Sequence, residues 1–323
     1  MESLGAVDIH FHGAFGVDLM SASLTDLDQL SAELWKHGVA GFCPTTLSAP
    51  EPTLLETVAQ LGKWIRRERH PGAQPLGIHL EGPFIAPHAC GAHPKKTVRR
   101  FNWKEFLSLW RASQKTLKIV TLAPEQISRL DLLRLIEFAK ENEIRLSVGH
   151  TSAGQVQAAA FFQKGICSVT HAWNAMAFHH RDPGVLGAAL GNPKIWIELI
   201  PDQVHVSGRV LDWTTQIHPQ NRVCFVSDCI PPGGVRSRGK GVFGPLEVRI
   251  QDGACRLPSG ALAGGSKLLP LSFSEWLYGY CYRHNTPVEA VFRRALAYIT
   301  TNPLEMLQLR PGILSHRRVL WQI

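Results

Sequence analysis

The feature that most restricts the fold is an alternation running through the first 229 residues, in which short apolar or β-branched runs take turns with longer amphipathic ones. VDIHFHG (7–13) precedes a helix expected over Thr25–His37, GFCPTT (41–46) precedes Leu54–Arg69, and GIHLEG (77–82) precedes a loop and then Trp103–Ala112. KIVTLAP is followed by Leu130–Glu141, RLSVGHT by Gln155–Lys164, SVTHAWNAM by a loop, and IWIELIPD by Ser207–Ile217; VCFVSDC closes the series. Eight strand candidates in βα order match the count for a (β/α)8 barrel of about 250 residues. A doubly wound open sheet is the competing arrangement, and the lack of a Gly-rich first turn argues against it.

The remaining chain offers a β-hairpin (PLEVRI, GACRLP) and helices near 267–283 and 287–299. No linker or repeat divides it, so one domain is expected over 1–323, with barrel strands at about 7–229 and the hairpin and helices at about 240–310. GKGVFG, at Gly239–Gly244, imitates a phosphate-binding loop. It leads into a strand rather than opening a helix, so it lacks the geometry that cradles phosphate.

With 45% hydrophobic and 19% charged residues the chain can bury a large core. Its start, MESLGAVDIHFHG, shows no apolar leader and no run of about 18 apolar residues occurs, so neither secretion nor membrane spanning is expected. Seven cysteines without a C-x-x-C pair read as reduced thiols in a cytoplasm. The excess of 34 Lys+Arg over 26 Asp+Glu suits nucleic acid or a small anion. Without interleaved basic and aromatic residues, the small anion is preferred.

Barrel chemistry sits at the C-terminal ends of the strands. His10 and His12 close strand 1 two residues apart and so share a face; Glu81 ends strand 3, His150 strand 5, His171 strand 6 and Asp228 strand 8, while His205 follows strand 7. A lone H-x-H, or a single histidine at a strand end, is more often a packing feature than a ligand. Seven such residues on one rim outweigh that reading. Glu81 directly follows the buried run Leu76–Leu80, where a carboxylate is costly unless a proton, a cation or a metal meets it. Imidazole with carboxylate is the donor set that suits zinc or iron(II).

HLEGPF followed by GAHP, VGHTSA, THAWNAM, HRDPG and VSDC, in this order, resembles the N-acetylglucosamine-6-phosphate deacetylases of the amidohydrolase superfamily, from residue 7 to about 310. The resemblance implies a cytoplasmic, metal-dependent hydrolase acting on a phosphorylated amino sugar, with one or two ions per chain, Zn²⁺ or Fe²⁺, and a homodimer. By motif, Glu81, His150 and His171 are implied as ligands of the main metal and Asp228 as the catalytic carboxylate, with His10 and His12 for a second ion that Glu81 would bridge. Ala92, His93, Asn174, Ala175, Arg181, His205, Leu262, Ala263 and Gly264 are implied as substrate contacts, Arg181 suiting a phosphate.

Three departures from the family pattern shape the expectations. Strand 1 begins near residue 7 and the tail RPGILSHRRVLWQI lacks the family's Gly-rich, Asp-containing end, so the family's accessory β-domain is expected to be missing or vestigial. Asp202-Gln203-Val204-His205 stands where Asp-Gly usually precedes the strand 7 histidine. His79 and Gly82-Pro83 are read as structural. A related enzyme acting on N-acetylgalactosamine 6-phosphate and a non-catalytic sugar-phosphate-binding barrel are the alternatives.

Overall fold

A computed structural model describes residues 2–234 and 239–321. Six strands form one parallel run in the order Val223–Phe225, Trp196–Leu199, Ser168–Val169, Arg145–Val148, Leu117–Leu122 and Ile78–Glu81. A second parallel run holds Ala6–Phe11, Val39–Pro44 and the two-residue strand Gln74–Pro75. The sheet curls so that the two runs meet at both seams, through parallel bridges Phe11–Cys229 and Thr45–His79. Apart from the short Gln74–Pro75, which runs beside Val39–Pro44, the alternation in the sequence therefore yields eight parallel strands in chain order, here called strands 1 to 8 from Ala6–Phe11 to Val223–Phe225.

Helices cover the outside, as the amphipathic runs foretold. Trp103–Ala112 and Gln155–Lys164 match their expected bounds. The second helix spans Glu51–Ile65 instead of 54–69, because Pro50 and Pro52 are compatible with its start and need no amide donor there. The loop expected after strand 6 contains a further helix, Gly184–Leu190. Its seven residues, GVLGAAL, are short and small and leave no apolar period to read.

The expected hairpin is part of a four-stranded antiparallel sheet, Lys240–Phe243, Leu246–Gln251, Ala254–Arg256 and Leu262–Gly265, and GKGVFG is a strand within it. A bridge from Gly265 to Cys229 sets this sheet on the end of strand 8. At Gly264, with φ +152°, an added Cβ would lie 2.5 Å from Ile230 Cγ2 and 3.0 Å from the Asp228 carbonyl oxygen, so the close approach requires glycine. The C-terminal helices are Leu269–His284, Val288–Ala295 and Thr301–Met306, the last unforeseen.

The interior of the curled sheet is polar where many barrels carry branched apolar side chains. His79 is fully buried, with Nδ1 2.9 Å from the Ile9 carbonyl oxygen and Nε2 2.7 Å from Thr121 Oγ1. Thr170 Oγ1 lies 2.6 Å from both Thr121 Oγ1 and Ser147 Oγ. These hydrogen bonds offset the burial of the hydroxyls. They form a floor beneath the strand ends.

Candidate metal and substrate site

Above that floor the strand ends enclose a cavity of about 280 Å³. Its lining includes His12, Glu81, Ala92, His93, His150, His171, Asn174, Ala175, His205, Asp228 and Leu262 to Gly264. His10 lies behind the wall, fully buried, with its Nε2 3.2 Å from His12 Nε2. The period-two spacing at strand 1 places both imidazoles on the inner face.

The backbone is bent at three of these positions. His150, His171 and Asp228 have φ of 48°, 29° and 48°, in the left-handed region that non-glycine residues seldom occupy. Each lies two or three residues past the end of its strand, and the reversal turns it into the cavity instead of along the strand axis. Such conformations cost about 1–3 kcal/mol and persist where the surroundings enforce them.

Glu81 is the hub. Its Oε1 lies 3.0 Å from His171 Nε2, 3.2 Å from His150 Nε2 and 3.4 Å from His10 Nε2; its Oε2 lies 3.1 Å from His93 Nε2 and 3.2 Å from His12 Nε2. Asp228 Oδ1 is 3.3 Å from His12 Nε2 and 3.4 Å from His10 Nε2. Burial works against the charge of Glu81, and electrostatic attraction to His10 and His93 with hydrogen bonds from His10 and His12 overcomes it, leaving the carboxyl well below its usual range. Asp228 is likewise opposed by burial and brought to about 2 by His10 and His12, so it is ionised at neutral pH.

Hydrogen bonding tests whether these donors fit a cation. His150 Nδ1 is 2.8 Å from the Ala89 carbonyl oxygen, which can only accept, so Nδ1 carries the hydrogen. With one hydrogen placed on Nδ1, the Nε2 of His150 faces Glu81 Oε1 at 3.2 Å and His171 Nε2 at 3.0 Å, where it needs either a second proton or a cation. Lone pairs facing a carboxylate repel unless a proton or a cation lies between them. Three overlapping groups have donor atoms close enough to share an ion: His10, Glu81 and His171; His10, His12 and Asp228; and Glu81, His93 and His150. The residues present fit a metal.

His205 is held differently. Its Nδ1 is 2.7 Å from Asp202 Oδ2, while its Nε2 is buried without a hydrogen-bond partner among the described residues. Burial disfavours the imidazolium of His205, yet the hydrogen bond and charge of Asp202 raise its pKa; burial also opposes ionised Asp202, which His205 brings below the carboxylate norm. The Asp202 contribution is complete above about pH 3.9 and lost as pH falls through the folded value. That of His205 is complete below about pH 6.5 and lost as pH rises through its own folded value. Asp202→Asn is expected to cost about 1–3 kcal/mol. The gap in Tm from the parent should be widest between about pH 4 and 6.5 and narrow on both sides; a gap that stays constant from pH 3 to 9 would exclude the ion pair.

Arg181 is not brought into the cavity: it is exposed, with Nη1 3.3 Å from His180 Nε2, and no Lys or Arg is among the described lining residues. Asn174 Nδ2 donates to the carbonyl oxygens of His171 and Ala172, at 3.1 and 3.4 Å, which braces the loop whose Ala175 has φ 52°. Sequence reasoning missed Leu47, Trp173 and Phe243 in the lining, and Ser48, whose backbone N–H lies 3.1 Å from His93 Nδ1. Phe243 meets His12 edge to face at 5.0 Å between ring centroids. These contacts join segments far apart in the chain and have no local signature. The one readable signal was Glu198, an acid inside the apolar run IWIEL, fully buried next to His10.

A curled parallel sheet with histidines and carboxylates at its strand ends defines a class, and the chain belongs to the amidohydrolase family, whose model matches residues 3–232. Among curated relatives, the N-acetylgalactosamine-6-phosphate deacetylase of Escherichia coli O157:H7 is 34% identical over 80% of this chain and 68% of its own length. The N-acetylglucosamine-6-phosphate deacetylase of Bacillus subtilis is also 34% identical, over 80% of this chain and 65% of its own, so this chain spans about two thirds of these two relatives. Among solved structures, a mutant N-acetyl-D-glucosamine-6-phosphate deacetylase from Mycobacterium smegmatis, in complex with N-acetyl-D-glucosamine-6-phosphate, superposes with a TM-score of 0.86 at 27% identity, over 95% of this chain and 78% of that one. The Thermotoga maritima N-acetylglucosamine-6-phosphate deacetylase gives 0.81 at 30% identity, over 95% and 79%.

Proposed function

We propose that this chain hydrolyses the acetamide of N-acetylglucosamine 6-phosphate to glucosamine 6-phosphate and acetate, in amino-sugar catabolism. The observation that carries the reading is the convergence of imidazole Nε2 atoms on Glu81 beside an ionised Asp228. The curled sheet is read as a closed (β/α)8 barrel of the metal-dependent hydrolase type forming one domain. Glu81, His150 and His171 would hold the main cation and His10 and His12 a second, with Glu81 between them; imidazole and carboxylate favour Zn²⁺, with Fe²⁺ next. A divalent cation bound there supplies a Lewis acid that lowers the pKa of water to about 7 and polarises an amide carbonyl.

The chain's own groups do the rest. Asp228 takes a proton from the attacking water as the C–O bond forms, then gives it to the amide nitrogen as the C–N bond breaks. Ser48 N–H donates to His93 Nδ1, so a neutral His93 carries its hydrogen on Nε2, where it can donate to the carbonyl oxygen. Burial, against the pull of Glu81, holds His93 down to about 4 and keeps it in that neutral form at working pH. His205, Ala92, Asn174, Ala175 and the Leu262–Gly264 strand would enclose the sugar. The role of Arg181 toward the phosphate rests on the motif and the relatives, because the guanidinium lies outside the cavity lining.

N-acetylgalactosamine 6-phosphate is the second reading, favoured by the E. coli relative at equal identity. Acetate release by metal-replete protein is the test, run on both hexosamine phosphates and on unphosphorylated N-acetylglucosamine. A phosphorylated sugar is expected to be turned over and the unphosphorylated one to be a poor substrate. Equal turnover with and without phosphate would remove the phosphosugar assignment, and metal-loaded protein that releases acetate from none would leave a binding barrel. A homodimer is proposed, to be checked by sedimentation.

A further inference from the structure

Glu198, the third residue of strand 7, is fully buried inside the curled sheet. A carboxylate there is costly without partners. Its Oε2 lies 3.3 Å from His10 Nδ1 and 3.4 Å from the backbone N–H of His171, while its Oε1 has no hydrogen-bond partner among the described residues. A carboxylate that accepts there places a hydrogen of His10 on Nδ1, so that in the neutral, ligating form of the ring the Nε2 lone pair is left free. That Nε2 faces Glu81 Oε1, Asp228 Oδ1 and His12 Nε2. The same oxygen thus touches one candidate ligand of each ion position, His10 and His171, which arrive from strands 1 and 6.

We propose that Glu198 is a positioning residue that fixes the His10 tautomer and links the two cation positions, so that the His10/His12 position depends on a carboxylate that touches neither ion nor substrate. The proposal rests on the metal reading given above. Glu198→Gln is nearly isosteric, and its amide can donate to His10 Nδ1, which drives the hydrogen onto Nε2 and blocks that atom as a ligand. Outer carboxylates that orient a metal-bound histidine typically matter about 10–100-fold in metal affinity.

The experiment compares the parent chain with Glu198→Gln and Glu198→Asp. Chelator competition with Zn²⁺ measures each site, and ¹⁵N NMR of metal-free protein, at a pH high enough for a neutral ring, reads the His10 tautomer. The parent is expected to show Nδ1–H, and Glu198→Gln to show Nε2–H with the weaker of two sites loosened about 10–100-fold. Glu198→Asp keeps the charge on a shorter arm and should retain Nδ1–H with a smaller loss, which separates positioning from a folding defect. An unchanged tautomer and unchanged affinities in folded Glu198→Gln would overturn the inference. A parent that binds no Zn²⁺ would overturn the metal reading, while the metal-free tautomer would still decide whether Glu198 sets His10.

Discussion

Glu81→Gln is expected to strip the protein of metal and lower kcat by more than about 10⁴-fold while the fold persists. Glu81 lies within 3.4 Å of the Nε2 atoms of five histidines, so removing its charge removes the negative centre on which a cation would sit. The glutamine amide can still donate to an Nε2 lone pair, which replaces the missing cation with a hydrogen bond and leaves packing unchanged. Elemental analysis, Tm and acetate release on the same preparation provide the check. Full metal content in a folded Glu81→Gln protein would remove Glu81 from the ligand set.

Asp228→Asn is the second large effect, expected at about 10²–10⁴-fold in kcat, the range for losing a general acid–base group. The substitution is conservative for two separate reasons. Asparagine tolerates the φ of 48° found at this position better than most residues, and its side chain keeps the shape that contacts His12. What it lacks is a carboxylate able to take and return a proton. Substrate binding should survive, so the variant is suited to capturing an intact acetylated sugar phosphate. A single-turnover rate within a few-fold of the parent, at equal metal content, would take Asp228 out of proton transfer.

Much of the site was legible because each strand announces itself locally. A short apolar run followed by His, Glu or Asp marks a strand and the residue leaving its end, and Glu81, His150, His171 and Asp228, read in this way, line one cavity. His79 was correctly separated from them as an interior residue. What was not legible depends on distant segments. Ser48 holds His93 from the loop after strand 2, and Phe243 reaches His12 from the added sheet, with over 200 residues between them. Arg181 shows the opposite limit: motif order gave it a role, and the loop carries its side chain to the surface.

The polar floor beneath the site has a direction. The Ile9 carbonyl can only accept, so His79 donates from Nδ1 and its Nε2 must accept from Thr121; Thr121 must then accept from Thr170, and Thr170 from Ser147. One imidazole tautomer therefore orients three hydroxyl rotors in series, each donating to the next member on the way to the Ile9 carbonyl. Burial, reinforced by the positive charge of His10, keeps the His79 pKa well below its ordinary value, so the ring stays neutral and the series does not reverse when the solution is acidified. The floor behaves as a fixed dipole rather than an adjustable hydrogen-bond reservoir, and a change at its first member, His79, would be felt at its last, Ser147, two strands away on the far side of Thr121.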